Sequence, residues 1–388
     1  MSLLALTRGK RILVCVGPGG VGKTTTAATV GLRAACEGRH TLILTIDPAR
    51  RLADSLGIGP LGHDPRPVPA DRLRAAGFEV SAPVEAMMLD AHRTFDDVVR
   101  RFAPDSEARA RLLRNPIYQQ IAGRLAGTQE YAAVAELHRL HRQGSYDLIV
   151  LDTPPSANAL DFLEAPGRLA EALDSPALQW FIRPTLRAGE FSLKMLGMGG
   201  AFVLRRFSRI TGSAFLEEVA HFLVEFNGLL GGFRRRADEV AALLCDPELA
   251  FVVVVSPQGA AVDEGVALVE RLERAGMHVG AVIVNRLRIA PASSADLDET
   301  LTHLGELRDL PKEDIRDAAE ALRRTCDEMD AAARVDAREV ERLKRSLRGT
   351  HTVHVPLLGE DVHDLERLAL VAAQLYRDEG LRNENALG

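Results

Sequence analysis

The chain has 388 residues, 46% of them hydrophobic and 26% charged, with a net charge of −6 and a pI near 6.0. That length is ample for a large buried core, and the slightly acidic balance supplies no basic field to attract nucleic acid. Four cysteines, none in a CxxC pair, argue against zinc or a disulfide scaffold and fit reduced, mostly buried thiols.

The N-terminal MSLLALTRGKRILVCVG has too short an apolar run before Arg8 for a secretory signal. No stretch reaches the roughly eighteen apolar residues that a membrane-spanning helix needs. The expectation is a cytoplasmic protein with no integral membrane segment.

Arg11 to Val16 (RILVCV) is an apolar, β-branched run that enters a glycine cluster, the pattern of a buried strand meeting a loop. Thr24 to Cys36 carries Ala, Val and Leu at helical spacing, and Thr41 to Ile46 (TLILTI) is a second buried strand that ends at Asp47-Pro48. Strand, loop, helix and strand make a parallel βαβ unit. Further strands are expected over Asp147–Leu151, Leu249–Val255, Val279–Val284 and Thr352–Val355, followed by Asp152, Ser256-Pro257, Asn285 and Pro356. Continuous apolar strands suit a doubly wound, mainly parallel sheet covered on both faces. Ligands bind such sheets at the strand C-termini, where these polar and Pro-containing segments fall.

Residues 85–142 and 165–245 read as helical insertions within one domain spanning 1–388. In the second, Phe215, Val219, Phe222, Phe226 and Leu229 share a helical face, and 191–212 is apolar nearly all round. Core and an adaptable binding groove are both open for these apolar segments. Residues 311–347 are charged and helical, and a solvated hairpin is expected there.

GPGGVGKT, Gly17 to Thr24, fits the phosphate-loop pattern G-x-x-x-x-G-K-[ST]. Glycines let the backbone amides of Gly19, Gly20, Val21 and Gly22 curl into an anion nest, and the helix that begins at Lys23 adds its N-terminal dipole. Lys23 is expected to neutralise the β- and γ-phosphates of ATP, Thr24 to ligate magnesium, and Thr25 to reach the α-phosphate. Three strand ends carry two readings each. Asp152 can hold a magnesium-bound water or be a plain strand-end aspartate. Asp47 can act on the attacking water or cap the helix of ARRLADSL. Asn285 can pair with a base edge or form a turn.

GGVGKTTTAA, TIDPARRLADSLG, VLDTPPSANALDFLEAP, VIVNRL and VPLLGEDV occur in that order. Together they resemble the ArsA-type ATPases, which include the arsenite-pump ATPase and the eukaryotic factor that targets tail-anchored membrane proteins, within the deviant P-loop class. The resemblance implies Asp47 as the catalytic carboxylate of a first switch and Asp152 as the magnesium-linked acid that opens a second. It implies Asn285, Pro356 and Leu357 as the adenine site. It also implies a dimer, and a hydrophobic protein client held by the helical insertions.

Three departures stand out. The family's signature lysine before the GG pair, which reaches the partner's phosphates across the dimer, is replaced by Pro18. The zinc-binding CxxC and the arsenite-binding cysteine triad have no counterpart, which disfavours arsenite transport. Pro18 admits slow hydrolysis by a homodimer, a lysine-bearing paralogue in a heterodimer, or substitution by Arg50 or Arg51. The expected function is a dimeric Mg-ATPase switch. The alternatives are a nucleotide-binding regulatory subunit with little turnover of its own and a MinD-like positioning ATPase.

Overall fold

The computed structural model describes residues 2–47, 50–103, 105–121, 128–154, 222, 238–291, 303, 311–347 and 349–377. The expected segment 165–245, including the apolar stretch 191–212, lies almost wholly outside the described residues.

The strands are β1 (Ile12–Val16), β2 (Thr41–Thr45), β3 (Arg66–Pro67), β4 (Val84–Met88), β5 (Leu148–Asp152), β6 (Leu249–Val255), β7 (Val279–Leu287) and β8 (Thr352–Pro356). They form one eight-stranded sheet in the order β3-β4-β2-β5-β1-β6-β7-β8. Only the edge pair β3–β4 is antiparallel; every other pairing is parallel. Every residue of β1, β2, β5 and β6 is buried, so their unbroken apolar runs follow from cover on both faces. The chain winds outward from β1 to β2 and β4, returns through β5, then winds the other way through β6, β7 and β8. The sheet therefore reverses direction around β1, where ligands settle in open α/β folds.

Alternate residues of β1 feed two cores. Ile12, Val14 and Val16 meet α5 (Ala91–Phe102), α8 (Thr128–Gln143), α9 (Gly259–Arg274) and the end of α10 (Lys312–Ser346). Leu13 and Cys15 meet α1 (Leu3–Gly9), α2 (Lys23–Cys36) and α11 (Leu365–Leu375). Smaller helices, α3 (Arg51–Ser55), α4 (Ala70–Ala75), α6 (Ser106–Arg114) and α7 (Pro116–Ile121), complete the described part.

Three expectations change. Residues 85–88 are strand, not the start of a helical insertion. Val84–Met88 runs parallel to β2 from Thr41 to Thr45, and its one charged residue, Glu85, accepts a hydrogen bond from Tyr146 Oη at 2.5 Å. The described residues between Ala91 and Gln143 are mainly helical, as expected. Residues 312–346 form one 35-residue helix, not a hairpin; the sequence offers no glycine or proline between Pro311 and Gly349 to turn it. The thiols are all free, but only Cys15 is buried; Cys36 and Cys326 are half-buried and Cys245 is exposed. Among the described residues no helix is long and apolar enough to cross a membrane.

Candidate functional site

The loop Gly17–Thr24 joins β1 to α2 across the top of the sheet. Its shape depends on glycine at two positions. Gly17 sits at φ +145°, and a Cβ there would collide with the carbonyl oxygen of Val254. Gly22, at φ +98°, would drive a Cβ into the Asn285 amide. Gly22 is also the N-cap of α2 and no side chain caps that helix, so its first-turn amides remain available to an anion.

Lys23 is only 5% exposed. Its Nζ donates to the carbonyls of Gly17 at 3.0 Å and Pro18 at 2.8 Å, folding the ammonium back over the loop. Burial lowers its pKa, and nearby Asp152 opposes that shift.

Asp152 ends β5 in register with Cys15 of β1 and Thr45 of β2, which levels three strand ends beneath the loop. It is fully buried. Its Oδ2 accepts from Thr24 Oγ1 at 2.8 Å and Thr45 Oγ1 at 2.9 Å, whereas its Oδ1 is buried without a partner. Burial raises its pKa to about 6, against the lowering effect of the two threonine hydroxyls and Lys23. A buried acceptor left unpaired beside a threonine hydroxyl suits the hydration shell of a divalent cation. Thr24 and Asp152 thus fit the magnesium pairing expected of them.

Asp47 follows β2, half-buried, and its amide donates to Thr45 Oγ1 at 3.2 Å. Asn285 Nδ2 donates to the Val21 carbonyl at 2.8 Å and Asn285 Oδ1 accepts from Arg286 N at 2.9 Å. The amide therefore locks the end of β7 onto the phosphate loop.

A cleft of about 470 Å³ opens above these groups, within the usual size of a small-molecule site. Gly20, Gly22, Lys23, Thr24, Thr25, Asp47, Asn285, Pro356 and Leu357 all line it. Three expected residues do not. Val21 turns into the core against Val254 and Ala261, Gly19 is exposed outside the lining, and Asp152 lies beneath the floor. Sequence reasoning missed Thr45, Thr153, Asp54, Ser55, Arg286, Glu360, Asp361 and His363. Thr45 was hidden as one more β-branched strand residue; its register with Asp152 was the signal. Of the two arginines considered as substitutes for a lysine at 18, Arg51 lines the cleft and Arg50 does not.

The family model described as anion-transporting ATPase matches residues 10–322. The chain is 22% identical over 377 residues to a putative arsenical pump-driving ATPase 1 of Aquifex aeolicus, covering 95% of this chain and 79% of that one. It is 25% identical over 283 residues to ATPase GET3 of Malassezia globosa, covering 73% and 74%. With ATPase get3 of Aspergillus terreus it shares 25% identity over 354 residues, covering 91% and 86%. A phosphate loop built at the switch point of a parallel sheet and a family match across most of the chain lead to one conclusion: the chain belongs to the anion-transporting ATPase family and is a nucleotide-binding P-loop ATP hydrolase.

Proposed function

We propose that the chain is a dimeric Mg-ATPase switch in which nucleotide-driven opening and closing controls a partner or a hydrophobic protein client. The observation that carries the catalytic part is the cluster beneath the loop. Thr24, Thr45 and Asp152 share one hydrogen-bonded centre, and Asp47 is tied to the same threonine. Asp47, Asp54, Glu360 and Asp361 in the cleft lining, with Asp152 beneath it, outnumber Lys23, Arg51 and Arg286, so a bare triphosphate would be repelled. Magnesium, held through Thr24 and through water on Asp152, would offset that charge and stabilise the charge that develops on the phosphoryl oxygens.

Each residue then has one task. Lys23 leaves the carbonyls of Gly17 and Pro18 for the β- and γ-phosphates. Loop amides from Gly19 to Thr25 hold the remaining phosphate oxygens. Asp47 orients the attacking water and takes its proton. Asn285, Pro356 and Leu357 receive the adenine. Arg51 carries the positive charge that Pro18 does not bring, which lets a homodimer work without a lysine-bearing paralogue. The 85–142 and 165–245 segments of a single 1–388 domain form the client-binding part; the resemblance to the tail-anchored targeting ATPases supports this.

The test is steady-state Mg-ATP hydrolysis by the purified chain, with Asp47→Asn beside it. The expected outcome is unchanged ATP affinity and a turnover lower by about 10²–10⁴-fold, the span of a lost general base. A variant that folds normally but no longer binds ATP would rule out that role for Asp47.

A further inference from the structure

We propose that Arg286 positions the purine: its guanidinium stacks on the base of a nucleoside triphosphate in the cleft, with Leu357 on the other face. The proposal rests on the nucleotide-binding role of the cleft. Among the described residues, Arg286 is the only non-glycine residue at positive φ, +62°. A long side chain occupies that conformation at a cost, and such strain persists where surrounding structure imposes it. Here the imposing structure is visible. Pairing of β7 with β8 shifts register between Val284 and Leu287, and Asn285 Oδ1 accepts the Arg286 amide at 2.9 Å. The same Asn285 grips the phosphate loop, so the strained residue is set at a fixed offset from the phosphate nest.

The guanidinium itself is uncommitted. Among the described residues it has no hydrogen-bond or ion-pair partner, although it lines the cleft. Arg288, two residues on, is held by buried Asp336, and Glu360 on the same cleft wall is taken by Arg367. Leu357 lines the same cleft while 54% exposed, and its amide donates to the Leu287 carbonyl, one residue past Arg286, at 2.9 Å. An unpaired planar cation and an uncovered leucine, each pinned to adjoining strand ends, make a slot for a flat aromatic ring. A role confined to phosphate charge would need neither the plane nor the leucine.

The experiment titrates Mg-ATP and Mg-tripolyphosphate, which lacks a base, against the full chain and its Arg286→Asn, Arg286→Lys and Lys23→Ala variants. Asparagine tolerates positive φ, so Arg286→Asn should keep or raise the melting temperature without ligand. It should weaken ATP by about tenfold and leave tripolyphosphate within about twofold, as loss of one cation–π contact predicts. Arg286→Lys, charged but not planar, should lose ATP affinity similarly, and Arg286→Gly provides a second strain-free variant. Unchanged ATP affinity in Arg286→Asn, equal loss of both ligands, or full affinity in Arg286→Lys would each overturn the inference. Lys23→Ala separates the two levels. If it weakens both ligands while Arg286→Asn weakens neither, only the purine slot fails. If it weakens neither, the nucleotide site itself is wrong.

Discussion

Replacing Thr45 by valine removes one hydroxyl and almost no volume, yet that hydroxyl serves both acids of the site. It donates to Asp152 Oδ2 at 2.9 Å and accepts from the Asp47 amide at 3.2 Å. The folded-state pKa of Asp152 is raised from 3.8 to about 6. Its ionisation therefore costs stability as pH climbs between those values, and the cost is fully present above them. The Thr45 bond reduces that cost, because it favours the charged form. A bond to a carboxylate is worth about 1.5–3 kcal/mol and a neutral one about 0.5–1.5. Thr45→Val should therefore destabilise the nucleotide-free protein by about 1 kcal/mol more at pH 8 than at pH 5, equivalent to raising the Asp152 pKa by roughly one further unit. Urea midpoints of wild type and variant at the two pH values measure the difference, and Thr45→Ser, which keeps the hydroxyl, should show no such dependence. An equal loss at pH 5 and pH 8 would refute the claim that Thr45 supports an ionised Asp152.

Gly17→Ala should destabilise the fold by about 2–4 kcal/mol, seen as an earlier urea midpoint, because its Cβ meets the Val254 carbonyl at a positive φ. Magnesium-dependent nucleotide binding should weaken as pH falls below about 6, where Asp152 takes up its proton; titrations at pH 5 and pH 7.5 in Asp152→Asn should lack that step. Arg51→Ala should lower kcat on the order of 10²–10³-fold with ATP affinity nearly kept, as removal of one transition-state charge does. Unchanged kcat would return the question of position 18 to a lysine-bearing partner.

Much of the sheet was legible because its central strands are covered on both faces and so spell unbroken apolar runs. Ile12–Val16 and Leu249–Val255 are buried at every position. Val84–Met88 escaped notice because Glu85 interrupts it and methionines replace β-branched residues. Its half-buried carboxylate accepts a hydrogen bond from Tyr146, a partner about sixty positions away that no local pattern announces. Leu3–Gly9 was weighed only as a secretory signal and given no element, yet it is helical, Leu3 and Leu6 are fully buried and Thr7 bonds Tyr376 Oη at 3.0 Å. The phosphate loop was legible as a local string. Thr45, Glu360 and Arg286 were not, since their place at the cleft comes from register and from a break in strand pairing. Asn285 shows the middle case: its position was foreseen, but its grip on the Val21 carbonyl depends on how closely two strand ends approach.

The long helix α10 has a mechanical consequence. Its inner half is fastened twice. Asp336 accepts the Arg288 backbone amide at 2.9 Å and its guanidinium at 2.5 Å, and Arg342 bonds Asp263 and the Gly259 carbonyl of α9. Arg288 lies three residues beyond Asn285, just past the end of the strand that touches the phosphate loop. Outward of that anchor, most of the described residues from Glu313 to Met329 are exposed. At about 1.5 Å per residue, Lys312 stands roughly 36 Å from Asp336. The helix is thus a rigid pointer with its short end bolted to the end of β7 and to α9. A tilt of only about 5° at the bolt would sweep the tip through about 3 Å, enough to turn a hydrogen-bond-sized rearrangement at β7 into a displacement that a neighbouring molecule can feel.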